Sequence, residues 1–250
     1  MRPTFAAVVL FLFAWSADRA TDEIQVYNAE INEPGRFSLQ LHGNEVLRGR
    51  TSAGFPGGLV PDGAFNGTPE LGYGLSDSWE VGAYLPYAVT RDGEIEWGGA
   101  KLRALVVSPR ARERRFFYGA NLELSYQPRL FEENHWNSEI RAILGWRVRS
   151  IEFIVNPIVD VALGGRHRTA DLSPAARLAY ILSPLWTVGL EHYSGFGPID
   201  HLDPSRRQLQ ETFAVADFSG RTIDVDVGVG RGLTPGSDAW TVKLILGWTL

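Results

Sequence analysis

The stretch WNSEIRAILGWRV, residues Trp136–Val148, decides the fold class. Apolar side chains such as Ile140 and Leu144 fall on even positions, whereas Glu139 and Arg141 fall on odd ones. Successive side chains of a strand point to opposite faces, so a strand separates the two sets. A helix would place Glu139 and Ile140 on overlapping arcs and bury charge. The stretch therefore predicts a β-strand with one apolar and one polar face.

The same alternation recurs along the chain, and we find no convincing 3.6-residue period after the first residues. Most segments hold roughly 10–13 residues, comparable with the about 9–11 that a tilted strand needs to cross a bilayer. We count about twelve segments, an even number as in single-chain outer-membrane barrels. They lie near residues 36–46, 66–76, 79–90, 95–107, 116–126, 136–148, 151–163, 171–182, 185–194, 209–218, 222–231 and 239–250.

The connections between these segments alternate in length. Long connections rich in Gly, Pro and charge are expected between short turns, although the 91–94 loop is short and the 108–115 turn is long. Bacterial barrels alternate short periplasmic turns with longer outer loops, so both termini are expected on the periplasmic side, with the last strand closing on the first. The short turns lie at residues 76–78, 149–150, 183–184 and 219–221, and the long loops at 47–65, 127–135, 164–170, 195–208 and 232–238.

The two faces of the strands favour lipid outside and water inside. Large aromatic side chains stand near the strand ends of the apolar face, as in the interfacial girdles of membrane barrels. An exported soluble β-sandwich, whose apolar face would form a core, is the alternative fold. We expect an all-β, transmembrane, antiparallel up-and-down barrel of about twelve strands, of the Gram-negative outer-membrane type, with residues 21–250 as its single domain. The expected membrane-interface aromatics are Trp79, Tyr87, Trp136, Trp146, Trp186, Trp240 and Trp248.

The first residues predict export. Arg2 precedes the apolar run FAAVVLFLFAW of residues 5–15, and small residues follow it. A basic start, an apolar stretch of about 7–15 residues and a small-residue site describe a secretory signal peptide. The run is shorter than the about 20 residues of a membrane-spanning helix. We expect residues 1–20 to be a signal peptide cleaved near Ser16 to Ala20, and the mature chain to reside in the cell outer membrane. A buried N-terminal helix is the alternative.

Composition excludes several function classes. The chain of 250 residues has no cysteine and a formal net charge of -5. Disulfides and thiolate metal sites are therefore excluded, and a nucleic-acid partner, which needs a basic face, is not expected. The five histidines are scattered without the close spacing of a metal site, so we expect neither a metal nor a cofactor. The expected partners are outer-membrane lipid, a small-molecule solute and the barrel-assembly machinery, whose terminal signal the last strand TVKLILGWTL resembles, although it ends in Leu250.

Three segments carry a family resemblance. The segment GTPELGYGLSDSWEVGAYLPYAV (67–89) resembles a hairpin of the "MetA-pathway of phenol degradation" proteins, with their Tyr-Gly-Leu-Ser/Thr-Asp turn and a strand ending Leu-Pro-Tyr. GGAKLRALVV (98–107) is similar to their next strand and LAYILSPLWTVGLEHY (178–193) to a later hairpin. The resemblance implies an outer-membrane barrel with a transport-like role, and it brings no catalytic residues.

The inward face supplies candidate selectivity residues. Asp224 and Asp226 stand two apart on one strand, and like charges that close need basic partners across the barrel. Such a ladder is either a selectivity constriction or a structural zipper in a narrow bore. Eight strands leave a filled barrel and sixteen an aqueous channel, so twelve leave both an open and a plugged lumen possible. The lumen candidates are Asp224, Asp226, Arg141, Arg177, Glu139 and Lys243, with Arg147 as a further basic partner.

These observations predict a channel or transporter for small solutes, aromatic or hydrophobic ones if the family resemblance holds. The alternative is a closed structural or lipid-organising barrel. A lipid hydrolase is a third hypothesis, because His192 and Ser194 stand two apart in lipid-facing phase at the outer end of a strand. A serine nucleophile also needs an orienting residue and oxyanion donors, and no matching Asn lies at a neighbouring outward position. We therefore expect no enzyme activity.

Overall fold

A computed structural model describes residues 23–164 and 170–250. The predicted signal peptide, residues 1–20, lies outside the described residues, as does most of the 164–170 loop. Within the described ranges, no helix is long and apolar enough to cross a membrane.

In the described ranges, the regular structure consists of twelve antiparallel strands and one short 3₁₀ helix, and most strands coincide with the segments of alternating hydropathy. Five strands are interrupted once each. The strands are β1 (Phe37–Arg48), β2 (Phe65–Ser76), β3 (Trp79–Tyr84 and Tyr87–Val89), β4 (Ile95–Trp97 and Ala100–Val107), β5 (Phe116–Tyr126), β6 (Trp136–Val148), β7 (Ile151–Asn156 and Ile158–Ala162), β8 (Ala170–Leu172 and Ala175–Ile181), β9 (Trp186–Gly195 and Gly197–Pro198), β10 (Leu209–Ser219), β11 (Asp224–Gly232) and β12 (Trp240–Thr249).

The interrupted strands are β3, β4, β7, β8 and β9, and a proline explains the interruption in three of them. Pro86, Pro157 and Pro174 stand between the two parts of β3, β7 and β8. Proline has no N–H to give to a ladder, so it breaks pairing on one side. The neighbouring strands compensate, since the N–H groups of Ala142 and Ser194 donate to the carbonyl groups of Pro157 and Pro174 at 2.9 and 3.0 Å.

The sheet closes on itself. Each strand pairs with its neighbours in sequence, and β1 pairs with β12 from Ser38 opposite Thr249 to Arg48 opposite Trp240. Closure leaves no unpaired strand edge, which is what a β-structure in lipid requires. The prediction of a twelve-stranded up-and-down barrel is confirmed.

The barrel has two distinct ends. Tight turns such as 77–78 and 149–150 join strands at one end, and longer loops such as 49–64 and 199–208 join them at the other. Following the usual orientation of bacterial barrels, we call these the periplasmic and outer ends. The chain enters β1 and leaves β12 at the periplasmic end.

The long 108–115 turn, which departs from the pattern of short periplasmic turns, folds into a short 3₁₀ helix (Ala111–Glu113). Ala111 is buried in the apolar cluster inside the barrel. The Arg147 guanidinium donates to the carbonyl oxygens of Ala111 and Arg112 at 3.0 and 2.9 Å. The turn is therefore long because it covers part of the periplasmic mouth.

Candidate functional site

The lumen contains a segment of the chain that precedes the first strand. Residues 23–34, which we call the lumen segment, have no regular secondary structure apart from a turn at the end, yet Ile24, Val26, Tyr27 and Ala29 are buried. The segment contacts wall residues at mid-height through Ile24 and Tyr27, and then descends to the periplasmic entrance of β1. A separate strip of chain thus fills part of the bore.

Tyr27 anchors the lumen segment to three strands. Its backbone N–H donates to the Asn156 side-chain oxygen at 2.7 Å, and the Asn156 amide donates back to the Tyr27 carbonyl at 3.1 Å. Its hydroxyl lies 2.8 Å from that of Tyr84 and donates to Glu123 Oε1 at 3.3 Å. The side chain of Asn156 thus replaces the strand partner that this backbone lacks.

Other wall side chains satisfy the remaining backbone of the segment. Arg141 Nη1 donates to the Gln25 carbonyl at 3.0 Å, and Lys243 Nζ donates to the Ile24 carbonyl at 3.2 Å. Near the periplasmic end, the Asn32 N–H donates to Glu80 Oε2 at 2.6 Å. Buried peptide groups are costly unless they are hydrogen-bonded, so these wall residues make the lumen position of the segment stable.

One side of the lumen is apolar. Val26, Tyr27 and Ala29 pack in one cluster with inward side chains of β4–β8. Burial of these groups away from water favours the segment's docked position. The wall residues of the cluster are Leu105, Val107, Phe117, Ile143, Ile154, Ile158 and Ala175. The lumen is therefore not uniformly charged, contrary to what the strand pattern suggests at first.

The opposite side of the lumen holds a buried ion-pair network centred on Glu191. Lys243 Nζ and Arg177 Nη1 contact the two oxygens of Glu191 at 2.6 and 2.7 Å. Lys243 also binds Asp226 at 3.2 Å, and Arg177 binds Asp217. Removing water from charges is costly, and close pairing of opposite charges offsets that cost. Of the predicted lumen residues, this network brings Asp226, Arg177 and Lys243 together.

The other predicted lumen residues lie elsewhere. Arg141 binds Glu139 of its own strand at 2.8 Å, not an aspartate of β11. Asp224 lines the periplasmic mouth, and among the ion pairs of the described residues it has no basic partner. Asp226 therefore has the basic partner that we expected for both aspartates. Asp224 is exposed, so solvent screens its charge without such a partner.

A second buried network of ion pairs lies on β1–β4 and was not predicted from the sequence. Arg103 contacts Glu70 at 2.6 Å and Glu80 at 2.5 Å, and His42 Nε2 lies 3.0 Å from Glu70. All four side chains point inward and are buried. The inward phase of Glu70, Glu80 and Arg103 was visible in the strand pattern, but which of them meet depends on the register of neighbouring strands.

Below the lumen segment lies a cavity of about 740 Å³ that opens between the periplasmic turns. Its lining includes residues 25–32 of the segment and the 183–184 and 219–220 turns. Part of each charged network also lines it, namely Asp217, Asp226 and Arg177 of one and Glu70, Glu80 and Arg103 of the other. Seven carboxylates and four arginines line it, so the cavity carries a negative excess. The cavity therefore lies between the lumen segment and the periplasmic turns.

The outer surface carries the aromatic side chains at two heights. Trp79, Trp146, Trp186 and Trp248 lie near periplasmic strand ends, and Tyr87, Trp136 and Trp240 near outer strand ends. Trp79, Trp136, Trp146, Trp186 and Trp240 are exposed on the outside of the wall. This arrangement matches the two headgroup levels of a bilayer.

His192 and Ser194 do not form a nucleophile–base pair. The side-chain Oε1 of Gln210 lies 3.0 Å from Ser194 Oγ and 2.9 Å from His192 Nε2, and it accepts hydrogen bonds from both. Nε2 therefore carries the proton, and His192 Nδ1 faces the Thr212 hydroxyl at 2.9 Å. Gln210 and Thr212 are the neighbouring polar residues that the sequence did not indicate, because they are brought there by strand register.

A closed antiparallel barrel with an apolar, aromatic-girdled wall and a charged lumen defines an outer-membrane β-barrel. Comparison with solved structures agrees with this class. The fold is similar to the COG4313 outer membrane channel from Pseudomonas putida F1, with a TM-score of 0.58 and 17% sequence identity over 91% of this chain and 100% of that one.

Two porins have similar folds. The NanC porin gives a TM-score of 0.53 at 11% identity, covering 84% of this chain and 97% of its own. The KdgM porin, solved in complex with disordered oligogalacturonate, gives 0.53 at 8% identity, covering 85% and 99%. No family model and no curated protein sequence matches this chain. At these sequence identities, the similarity shows a shared fold alone.

Proposed function

We propose that the protein is an outer-membrane channel for small solutes, and that the lumen segment is its gate. The observation that carries this proposal is the nature of the lumen filling. A barrel closed for structural purposes is filled by side chains of its own wall, as in eight-stranded barrels. Here the bore is occupied by residues 23–34, which are not part of the wall and are held in place by wall side chains.

Displacing the segment leaves the wall intact. Its contacts are individual hydrogen bonds to side chains, each worth about 0.5–1.5 kcal/mol net, plus the buried apolar surface of Val26 and Ala29. No ladder bond of the barrel has to break. Low conductance at rest and opening by release of the segment are the expected behaviour.

The two-sided lumen bears on the kind of solute. Release of the segment exposes the apolar cluster that contains Phe117 on one side of the lumen. This cluster faces the ion-pair network centred on Glu191 on the other side. A small aromatic solute with polar substituents fits both surfaces, and this agrees with the family resemblance to phenol-degradation proteins. The negative excess of the cavity favours cations over anions. We assign Asp224, Asp226, Arg141, Arg177, Glu139 and Lys243 as selectivity residues.

Export and membrane insertion belong to the same proposal. Residues 1–20 direct the chain across the inner membrane, and the barrel-assembly machinery inserts it into the outer membrane. Heat-modifiable gel migration of the membrane-extracted protein tests this placement. A soluble periplasmic product without that shift would contradict it.

The absence of cysteine from the chain permits a direct test of the gate. In Tyr27→Cys/Asn156→Cys, a disulfide would link two residues whose backbone N–H and side-chain oxygen are 2.7 Å apart in the wild type. We expect planar-bilayer opening events to disappear on oxidation and to return on reduction, while oxidation and reduction leave the opening of each single-cysteine variant unchanged.

A second variant separates gating from conduction. Replacing residues 24–31 by a Gly/Ser sequence removes the buried side chains, and we expect its conductance to exceed that of the wild type. If neither protein conducts and neither promotes liposome swelling, the channel assignment is wrong and a closed barrel is favoured. If both conduct equally and the disulfide changes nothing, the barrel is a channel but the segment is not its gate.

A further inference from the structure

Five neighbouring strands place one row of outward side chains at the same height near the outer end. Opposed residues of antiparallel strands share a face, so strand register defines the row. It consists of His192 on β9, Thr212 on β10, Arg231 on β11, Trp240 on β12 and Arg48 on β1. Trp240, Arg231 and Arg48 are exposed on the outside of the barrel.

The row marks a boundary of polarity. Two residues closer to the membrane centre, the outward side chains of β9–β12 are all apolar. At the matching position, β1 carries an acid. These residues are Leu190, Ala214, Val229, Val242 and Glu45. Headgroups meet the wall where its apolar band ends. The row therefore lies at headgroup depth in the outer leaflet.

Two arginines stand on either side of Trp240 in this row. The guanidinium carbon of Arg231 lies 5.0 Å from the centroid of the Trp240 ring, and its Nη1 donates to the Ala239 carbonyl at 3.1 Å. The ring contact and this hydrogen bond together orient the guanidinium. Among the described residues, no carboxylate forms an ion pair with Arg48 or Arg231.

The separation of the arginines fits one lipid headgroup. Arg48 and Arg231 are two strands apart, which places their backbones about 10 Å from each other. Two arginine side chains are long enough to reach one group from backbones this far apart. Guanidinium groups bind phosphate through paired, charge-assisted hydrogen bonds.

We propose that Arg48, Trp240 and Arg231 form a binding site for a phosphorylated lipid headgroup of the outer leaflet. The phosphate groups bind the two guanidinium groups, and the acyl chains lie against the apolar row that contains Val229 and Val242. Glu45, at the edge of that deeper row, is the nearby acid. Because its charge repels phosphate, the phosphate groups lie at the level of the two guanidinium groups and not deeper. The site is independent of conduction through the bore.

Native mass spectrometry of the detergent-purified, folded protein tests the proposal. The probes are lipid A with two phosphates, the same lipid after removal of both phosphates, and inorganic phosphate. An arginine near an anionic lipid surface contributes about 1 kcal/mol, so Arg48→Gln/Arg231→Gln is expected to weaken binding of phosphorylated lipid A about 25-fold. The control Arg36→Gln/Arg221→Gln removes two exposed charges at the periplasmic end and should leave binding unchanged.

The outcomes are distinct. Equal binding of the lipid with and without phosphates, or equal loss in the control variant, overturns the proposal. Displacement of bound lipid A by millimolar inorganic phosphate would show a free-anion site and also overturns it. Heat-modifiable migration verifies folding of each variant. If the double variant does not fold, the single substitutions replace it, each with an expected loss of about fivefold.

Discussion

Lys243→Met tests whether the buried network on the Glu191 side holds the barrel together. The Lys243 side chain is 1% exposed and contacts Glu191, Asp226 and the carbonyl of Ile24. Methionine has a similar length without the charge. The substitution removes the lysine from Asp226 entirely, and leaves Glu191 with Arg177 and the Tyr193 hydroxyl.

The size of the effect follows from burial. Removing one partner of a buried ion pair costs about 3–5 kcal/mol, because the remaining charge is left uncompensated. In a chain of about this length, 1 kcal/mol corresponds to roughly 2–4 °C in the unfolding midpoint. The expected decrease is therefore about 6–20 °C. Adding Asp226→Asn should restore part of it, since the uncompensated carboxylate is then absent.

Thermal unfolding in one detergent, followed by circular dichroism and by heat-modifiable migration, measures this decrease. Arg91→Met is the matched control, because Arg91 pairs with Asp62 while its side chain is 71% exposed. An exposed pair contributes about 0–1 kcal/mol, so that midpoint should move little. A midpoint for Lys243→Met that equals the one for Arg91→Met would refute the reasoning that a buried carboxylate is left uncompensated without Lys243.

Two further substitutions test packing and chemistry. Gly145→Ala should cost about 1–3 kcal/mol of unfolding free energy, because the added Cβ would lie 2.0 Å from Phe117 Cζ; Gly247→Ala, whose Cβ would have neighbours at 3.6 Å or beyond, is the control, and equal midpoints would contradict this account. Ser194→Ala should leave the outer-membrane lipid composition unchanged by mass spectrometry, because Gln210 lies between Ser194 and His192. An altered composition would favour the hydrolase hypothesis.

Two signals for the lumen segment were present in the sequence. Ile143 and Ile154 stand on the otherwise polar face of their strands, and inward apolar residues need an apolar partner. Residues 24–31, IQVYNAEI, supply one through Val26 and Ala29. Strand periodicity does not reveal this match, because the segment forms no strand and contacts residues more than 100 positions away.

The sequence by itself determined the strands, their faces and their closure into a barrel. Alternation with period two and turn-forming residues are local properties, so each strand can be found without its neighbours. The tertiary structure alone decided what fills the bore and which charges meet. Lys243 contacts Glu191 and Ile24 because the barrel curves three distant parts of the chain around one axis. Side-chain pairing across a lumen depends on register and closure together, and neither is encoded in any single segment.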